Sequence, residues 1–145
     1  MIEEDYVSYE TAKLLKEKEF DWPCFCTYEI NDVKDVLLTV VLSAPLSNSD
    51  LDNTIEPHKC YSAPTFQVAM KWLEEMHSLI ITIYSINIAE PLDKEEPHRF
   101  TNFYFNIATT TKSFQKDIKG YHRTAYATYE EACEEAIRYC LEKMI

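Results

Sequence analysis

The chain is almost free of glycine, which removes several large classes of enzyme from consideration. Its 145 residues contain one glycine, Gly120. The Walker phosphate loop, the dinucleotide-binding fingerprint and the nucleophile elbow of α/β-hydrolases each need two or more glycines at fixed spacing. None of these motifs is present in its usual form. The sequence therefore argues against a P-loop ATPase, a nicotinamide-dependent dehydrogenase and an α/β-hydrolase.

Basic residues are also scarce. Lys and Arg number 14 against 25 Asp and Glu, which gives a formal net charge of −11. Nucleic acids and anionic membrane surfaces are bound by clustered Lys and Arg. We therefore expect neither a nucleic acid nor a membrane as a partner. The acidic balance is compatible with solubility alone or with a basic protein partner.

The sequence also lacks an apolar run of the roughly 18 residues that a membrane span needs. Its first ten residues, MIEEDYVSYE, have neither the basic start nor the apolar stretch of a secretion signal. The number of cysteines is odd and the chain is of ordinary domain size, which disfavours a disulfide framework. We expect reduced, mostly buried thiols and a cytoplasmic location. The five cysteines are Cys24, Cys26, Cys60, Cys133 and Cys140.

Helical and strand patterns alternate along the chain and predict a single α+β domain over residues 1–145. The predicted elements are helix 9–18, strands 24–30 and 36–42, helix 66–77, strands 78–86 and 99–108, and helix 128–144. We expect about four mostly antiparallel strands with two or three helices packed on one face. Residues 43–59 are rich in Ser, Asn, Asp and Pro and are predicted to form a long surface loop.

The last two strands predict an open sheet face. Phe103, Phe105 and Ile107 should share one face, so that the residues between them share the other. If helices cover only the first face, aromatic and amide side chains remain on a surface of the kind that binds peptides or bases. The acidic composition favours a protein or peptide over a nucleic acid. The candidate contact residues are Tyr84, Tyr104, Asn102 and Asn106, and a half-exposed sheet without a partner is the alternative.

The last helix carries a second set of candidate contact residues. It opens with Thr128-x-x-Glu131, the spacing of a capping box. Apolar residues line one side of the helix and glutamates cover the remainder. Glu131, Glu134 and Glu135 are therefore candidates for contact with a basic protein.

The spacing Glu74-x-x-His77 is one by which di-iron enzymes present two ligands from a helix. Such sites need a second pair, and the other match, Glu95-x-x-His98, contains Pro97 and cannot lie on a regular helix face. Glu74 belongs to the polar stripe of its helix. We therefore interpret the motif as the edge of an amphipathic helix.

A zinc site is the alternative that involves cysteine. Cys24-x-Cys26 and His58-x-Cys60 together offer four ligands of the types that zinc prefers. Structural zinc sites usually separate paired cysteines by two or more residues, whereas C-x-C in a strand places both thiols on one face, as apolar packing requires. Nothing in the sequence directs a histidine at an exposed thiol, so no catalytic residue is predicted.

Four short blocks carry a resemblance to known proteins. They are S-Y-E-T-A-K-L from Ser8, S-A-P-T from Ser62, K-W-L-E-E from Lys71 and T-Y-E-E-A from Thr128. In this order they resemble a family of small uncharacterised proteins from Bacteroides-type gut bacteria and their phages or mobile elements. The resemblance implies a phage-related accessory protein and no particular reaction. Where the family often has glycine after the first helix, this chain has Glu19, which argues against a left-handed glycine cap there.

The sequence thus predicts a non-enzymatic accessory or protein-interaction module, as a monomer or homodimer, with no cofactor. A small zinc-binding protein using Cys24, Cys26, His58 and Cys60 is the alternative.

Overall fold

The computed structural model describes residues 5–31, 33–40, 44–54, 60–89, 99–109 and 125–145. Its elements are helix α1 (Tyr9–Glu17), strands β1 (Cys26–Ile30) and β2 (Val36–Val40), helix α2 (Asn48–Thr54), strand β3 (Cys60–Ser62), helix α3 (Phe66–His77), strands β4 (Leu79–Ala89) and β5 (Arg99–Thr109), and helix α4 (Tyr129–Tyr139). A π-helical turn, Cys140–Met144, extends α4.

Helices α3 and α4 begin at threonine caps, Thr65 and the predicted Thr128. The side chain of Thr65 accepts a hydrogen bond from the amide of Val68 at 3.3 Å. Thr128 accepts one from the amide of Glu131 at 3.1 Å. Each bond satisfies one of the amides that the first turn of a helix leaves without a partner. The N-terminal boundaries of both helices are therefore fixed locally, by the chain itself.

Helix α1 ends in a left-handed residue although the chain has no glycine at that position. Glu19 has φ of 66°. Its amide donates to the Lys16 carbonyl at 3.1 Å, and the amide of Phe20 donates to the Leu15 carbonyl at 2.9 Å. These are the two bonds of a Schellman motif. The left-handed cap thus forms with Glu19 in place of glycine, and burial of Phe20, which is 1% exposed, holds the chain reversal in place.

The predicted strands β1 and β2 form a hairpin. They pair antiparallel, with Tyr28 opposite Leu38. The side chain of Asn31 closes the turn by accepting hydrogen bonds from the amides of Val33 (3.1 Å) and Asp35 (2.9 Å). Strand β3 pairs with the other edge of β1, so the order of this sheet is β2-β1-β3. Strand β2 is thus an edge strand.

Strands β4 and β5 form a separate antiparallel sheet, in which Tyr84 lies opposite Tyr104. Phe105 and Ile107 are buried on one face. The ring of Phe105 packs against that of Tyr139 in α4, with 6.4 Å between centroids. The predicted alternation in β5 is confirmed at Phe105 and Ile107, whereas Phe103 is half-buried, like the residues between them.

Helix α4 is the central element of the core. Most of its apolar side is buried, because small residues let the helix approach α1, α3 and the β4–β5 sheet closely. The fully buried residues of α4 and its extension are Ala132, Cys133, Ala136, Ile137, Cys140 and Leu141.

The segment 43–59, expected to be a long loop, instead contains helix α2. Ser47 and Asp50 form a reciprocal cap, with the Asp50 amide 3.2 Å from the Ser47 hydroxyl and the Ser47 amide 3.0 Å from the Asp50 carboxylate. Asn48 donates to the Phe20 carbonyl at 2.7 Å and accepts from the Ser62 amide at 2.9 Å. This buried amide ties α2 to two distant parts of the chain, contacts that local composition cannot reveal. Residues 43 and 55–59 lie outside the described part of the segment.

The α+β class is confirmed, with antiparallel strands and helices in one chain. In the described residues the strands number five and form two small sheets, rather than four in one. Different helices therefore pack against different sheets. In α1, Tyr9 contacts Tyr28 and Tyr61 of the three-stranded sheet edge-on, while α4 packs on β5. Within the same residues, no helix is long and apolar enough to cross a membrane.

Candidate interaction surfaces

The two candidate tyrosines lie together on the outer face of the β4–β5 sheet. Tyr84 and Tyr104 are cross-strand neighbours whose rings stack at 5.5 Å with an angle of 18°. Tyr84 is 36% exposed, while Tyr104 is half-buried. Because one face of each ring is covered by the other tyrosine, a partner can contact only the remaining face, the ring edges and the hydroxyls.

Asn102 and Asn106 share this face with Tyr104, as the sequence predicts. The register places Asn106 opposite Thr82 and Asn102 opposite position 86. Both asparagines are half-buried. The side-chain oxygen of Asn106 is buried and has no hydrogen-bond partner among the residues that the structure describes.

The glutamates of α4 lie on the other side of this sheet, because α4 packs on the Phe105 face. There they line a groove of about 430 Å³ between the start of α4 and the starts of α1 and α3. We call it the α4 groove. It is lined by Tyr6, Ser8, Phe66, Tyr126, Glu130, Glu131, Glu134 and Glu135. The candidate residues therefore form two separate surfaces, and one small ligand cannot contact both.

Within the α4 groove Glu134 differs from its neighbours. Its carboxylate accepts hydrogen bonds from the amide of Ser8, at 3.2 and 3.3 Å, and from the hydroxyls of Ser8 and Thr11, the latter at 2.5 Å. Ser8 is itself the cap of α1. The Glu134 carboxylate thus completes the N-terminus of α1, where the helix dipole favours a negative charge. Its role is to join α4 to α1.

The other three glutamates of the α4 groove face solvent. Glu130, Glu131 and Glu135 are exposed, and none forms an ion pair with a residue in the described ranges. The potential of Glu130 reaches the helix interior. Burial, opposed by a hydrogen bond with Tyr129 and assisted by the carboxylates of Glu130, Asp5 and Glu134, raises the pKa of Cys133 to about 11. The α4 groove therefore combines uncompensated negative charge with aromatic walls.

The cysteine thiols are poor nucleophiles at neutral pH. All five are buried. Burial, with a smaller contribution from Cys26, raises the pKa of Cys24 to about 12, and burial alone raises that of Cys140 to about 12. Only the thiolate is reactive, so a raised pKa suppresses attack. The prediction that the cysteines pack as apolar residues agrees with this burial.

The zinc alternative requires Cys24, Cys26 and Cys60 to meet. The register pairs Cys60 with Glu29, which is three residues beyond Cys26 in β1. Because side chains alternate along a strand, Cys60 projects from the opposite sheet face to Cys26, roughly 10 Å further along. Thiolates on one zinc each lie about 2.3 Å from it. The structure does not bring these three thiols together, and His58 lies outside the described residues.

The motif Glu74-x-x-His77 lies on α3 as the sequence predicts. Glu74 is exposed. The ring of His77 packs edge-on against Trp72, with 4.8 Å between centroids. Glu95 and His98 are outside the described residues, and the described ones contain no group of three or more His, Cys, Asp or Glu that could hold a metal.

One surface was not anticipated from the sequence. Six of the nine large apolar residues that are exposed among the described ones belong to the β1–β2 hairpin or directly precede it. They are Phe25, Val33, Val36, Leu37, Leu38 and Val40. The signal was present in VLLTV, Val36–Val40, which lacks the alternation of a strand with one solvent-facing side.

Comparison with known proteins adds no assignment to these surfaces. The chain matches no family model, no curated protein and no solved structure. Its function must therefore be inferred from its own surfaces.

Proposed function

We propose that the protein is a non-enzymatic interaction module that binds a basic segment of a partner protein in the α4 groove. The observation that carries this proposal is the grouping of Glu130, Glu131 and Glu135, exposed and without an ion-pair partner among the described residues, beside the aromatic walls. An arginine or lysine side chain suits such a groove. Its charged end pairs with carboxylates and its apolar stem covers aromatic rings.

The geometry of the groove is suited to capture more than to chemistry. The groove is open to solvent. The carboxylate of Glu134 already accepts hydrogen bonds from Ser8 and Thr11, so it is not available to act on a substrate. The nearest thiol, Cys133, is fully buried with a raised pKa. Binding of a basic segment needs only the exposed carboxylates of Glu130, Glu131 and Glu135 in their ionised form.

The charge of the whole chain supports the same partner chemistry. At −11 the protein attracts basic surfaces at long range and accelerates their encounter with it. The resemblance to phage and mobile-element proteins suggests an accessory role toward a basic cytoplasmic protein of the host. We therefore place the protein in the cytoplasm, where the five thiols stay reduced.

Binding of a defined basic peptide tests the proposal. The probe is a fluorescein-labelled peptide of 12 residues with four arginines, measured by anisotropy at 50 and 200 mM salt. A matched peptide with glutamine in place of arginine measures background. The double variant E131Q/E135Q should weaken binding about 5- to 30-fold, since each charge contact contributes roughly 0.5–1 kcal/mol.

A charge-matched variant separates specific from general attraction. Glu17 and Glu74 are exposed and lie outside the groove lining, so E17Q/E74Q removes two negative charges elsewhere, as E131Q/E135Q does within it. It should weaken binding less than twofold. Equal losses in the two double variants, or no binding to the wild-type protein at low salt, would overturn the proposal.

A further inference from the structure

Strand β2 is apolar on both faces and exposed on both. Val36, Leu38 and Val40 alternate with Leu37 and Thr39, so each sheet face carries apolar side chains. The exposed fractions of its four large residues lie between 40% and 58%. Such near-continuous apolar runs are typical of strands covered on both sides. In the monomer this strand has the composition of an interior strand at an edge position.

The outer edge of β2 also lacks the usual protection against pairing. Edge strands are commonly blocked by a lysine, a proline or a bulge. Val36–Val40 contains no charge and no proline, and its register with β1 is regular over all five pairs. Among the described residues, no strand pairs with its outer side. The edge can therefore accept another strand.

We propose that β2 pairs antiparallel with β2 of a second copy of this chain and joins two three-stranded sheets into one of six strands. The two-fold axis passes through Leu38. Val36 then pairs with Val40 of the other copy, and Leu37 with Thr39. This register is the one that pairs all five strand residues, and it satisfies the requirement that a two-fold interface be self-complementary.

The absence of charge on β2 makes this edge a place where two copies can meet. Two copies of a protein with net charge −11 repel each other over most of their surfaces. Strand β2 carries no charge, so here they meet without placing like charges in direct contact. The same neutral strand offers no carboxylate to the lysines and arginines of a basic partner, which separates this surface from the α4 groove.

The area that edge pairing buries is that of a weak dimer. With exposures of 40% to 74%, the six exposed apolar side chains of the β1–β2 hairpin present on the order of 500 Å². Edge pairing covers the backbone edge of β2 and the facing flanks of its side chains, and it leaves both sheet faces, Phe25 and Val33 open. Two copies would therefore bury less than the roughly 1,000 Å² of a specific interface, and we expect a dissociation constant of roughly 100 µM.

Sedimentation from 1 to 200 µM tests the dimer, together with a pair of matched variants. L38K places two lysines together at the axis, whereas M76K puts a lysine at a comparably exposed apolar position in α3. Wild type and M76K should dimerise and L38K should remain monomeric to 200 µM. A wild-type monomer at 200 µM, or an L38K variant that dimerises like wild type, would show that β2 is not the interface.

Cross-linking tests the register. In the proposed dimer the two Leu38 Cα atoms are about 4.5–5.5 Å apart, a distance that a disulfide spans. Oxidised glutathione should therefore link L38C into a covalent dimer as it is reduced. V36C is the control, since its two copies would lie roughly 14 Å apart along the strands. The native thiols are buried and do not compete. Equal cross-linking of both variants would rule out this register. Cross-linking of L38C only to a different protein, added in a cell lysate, would show that the β2 edge pairs with another chain.

Discussion

Replacing Glu134 with alanine is expected to destabilise the protein by about 3 kcal/mol. The substitution removes the acceptor for the Ser8 amide, the Ser8 hydroxyl and the Thr11 hydroxyl. A hydrogen bond to a charged group contributes about 1.5–3 kcal/mol, and the contributions of bonds that share one acceptor are not additive. Thr11 is fully buried, so water cannot replace the carboxylate that the Thr11 hydroxyl loses as its acceptor.

Urea denaturation followed by circular dichroism measures this change. Glu134→Gln keeps one acceptor oxygen and loses the charge at the start of α1, so it should cost about 1–1.5 kcal/mol. Glu135→Ala is the matched control, because Glu135 is exposed on the next position of the same helix. Its free energy of unfolding should stay within about 0.5 kcal/mol of wild type.

A double-mutant cycle with Ser8→Ala locates the effect. Ser8 and Glu134 are hydrogen-bonded, so the two substitutions together should cost about 1 kcal/mol less than the sum of the single ones. A loss below about 0.5 kcal/mol for Glu134→Ala, or a coupling energy of zero, would refute the view that Glu134 joins α4 to α1. Glu134 would then rank with the surface glutamates of the groove.

Three further predictions concern the backbone and the thiols. Glu19→Gly should stabilise the protein by about 0.5–1 kcal/mol in thermal unfolding, because Glu19 has φ of 66°; Glu17→Gly, two residues earlier in the helix, should instead destabilise it by about as much. Ellman's reagent at pH 7.5 should label fewer than one thiol per folded chain within minutes and all five in urea, since all are buried; rapid native labelling would contradict the structure. Burial raises the pKa of Cys24 and Cys140 to about 12 and that of Cys133 to about 11. Unfolded thiols ionise near pH 8.5, so above that pH the unfolded state binds fewer protons than the folded state. The free energy of unfolding therefore keeps its full value below about pH 8.5 and decreases above it. The urea midpoint should fall as pH rises from about 9 to 11, less steeply in Cys140→Ala; a midpoint independent of pH over that range would exclude the raised values.

Much of the secondary structure was determined by the sequence alone, because its signals are local. Thr65 and Thr128 cap the first turns of their own helices through hydrogen bonds to amides three residues later in the sequence. The apolar spacing of α4 matches its buried side, and alternation in β5 correctly separates Phe105 from Tyr104. Each signal operates within one turn or one strand, so neighbouring residues suffice to read it. The glycine count, a property of composition, likewise argues against whole enzyme classes without reference to the fold.

Only the tertiary structure decided what depends on distant contacts. Helix α2 is held by Asn48, whose amide reaches Phe20 and Ser62, and nothing near Asn48 in the sequence indicates those partners. In the sequence Glu134 looks like one more surface glutamate. The fold brings it into hydrogen-bond contact with Ser8, which is 126 residues away. The apolar run of β2 suggests a covered strand, yet pairing order puts it at an edge. Local chemistry therefore determined the helices and strands, whereas three-dimensional packing decided which charges stabilise the fold and which surfaces are free to bind.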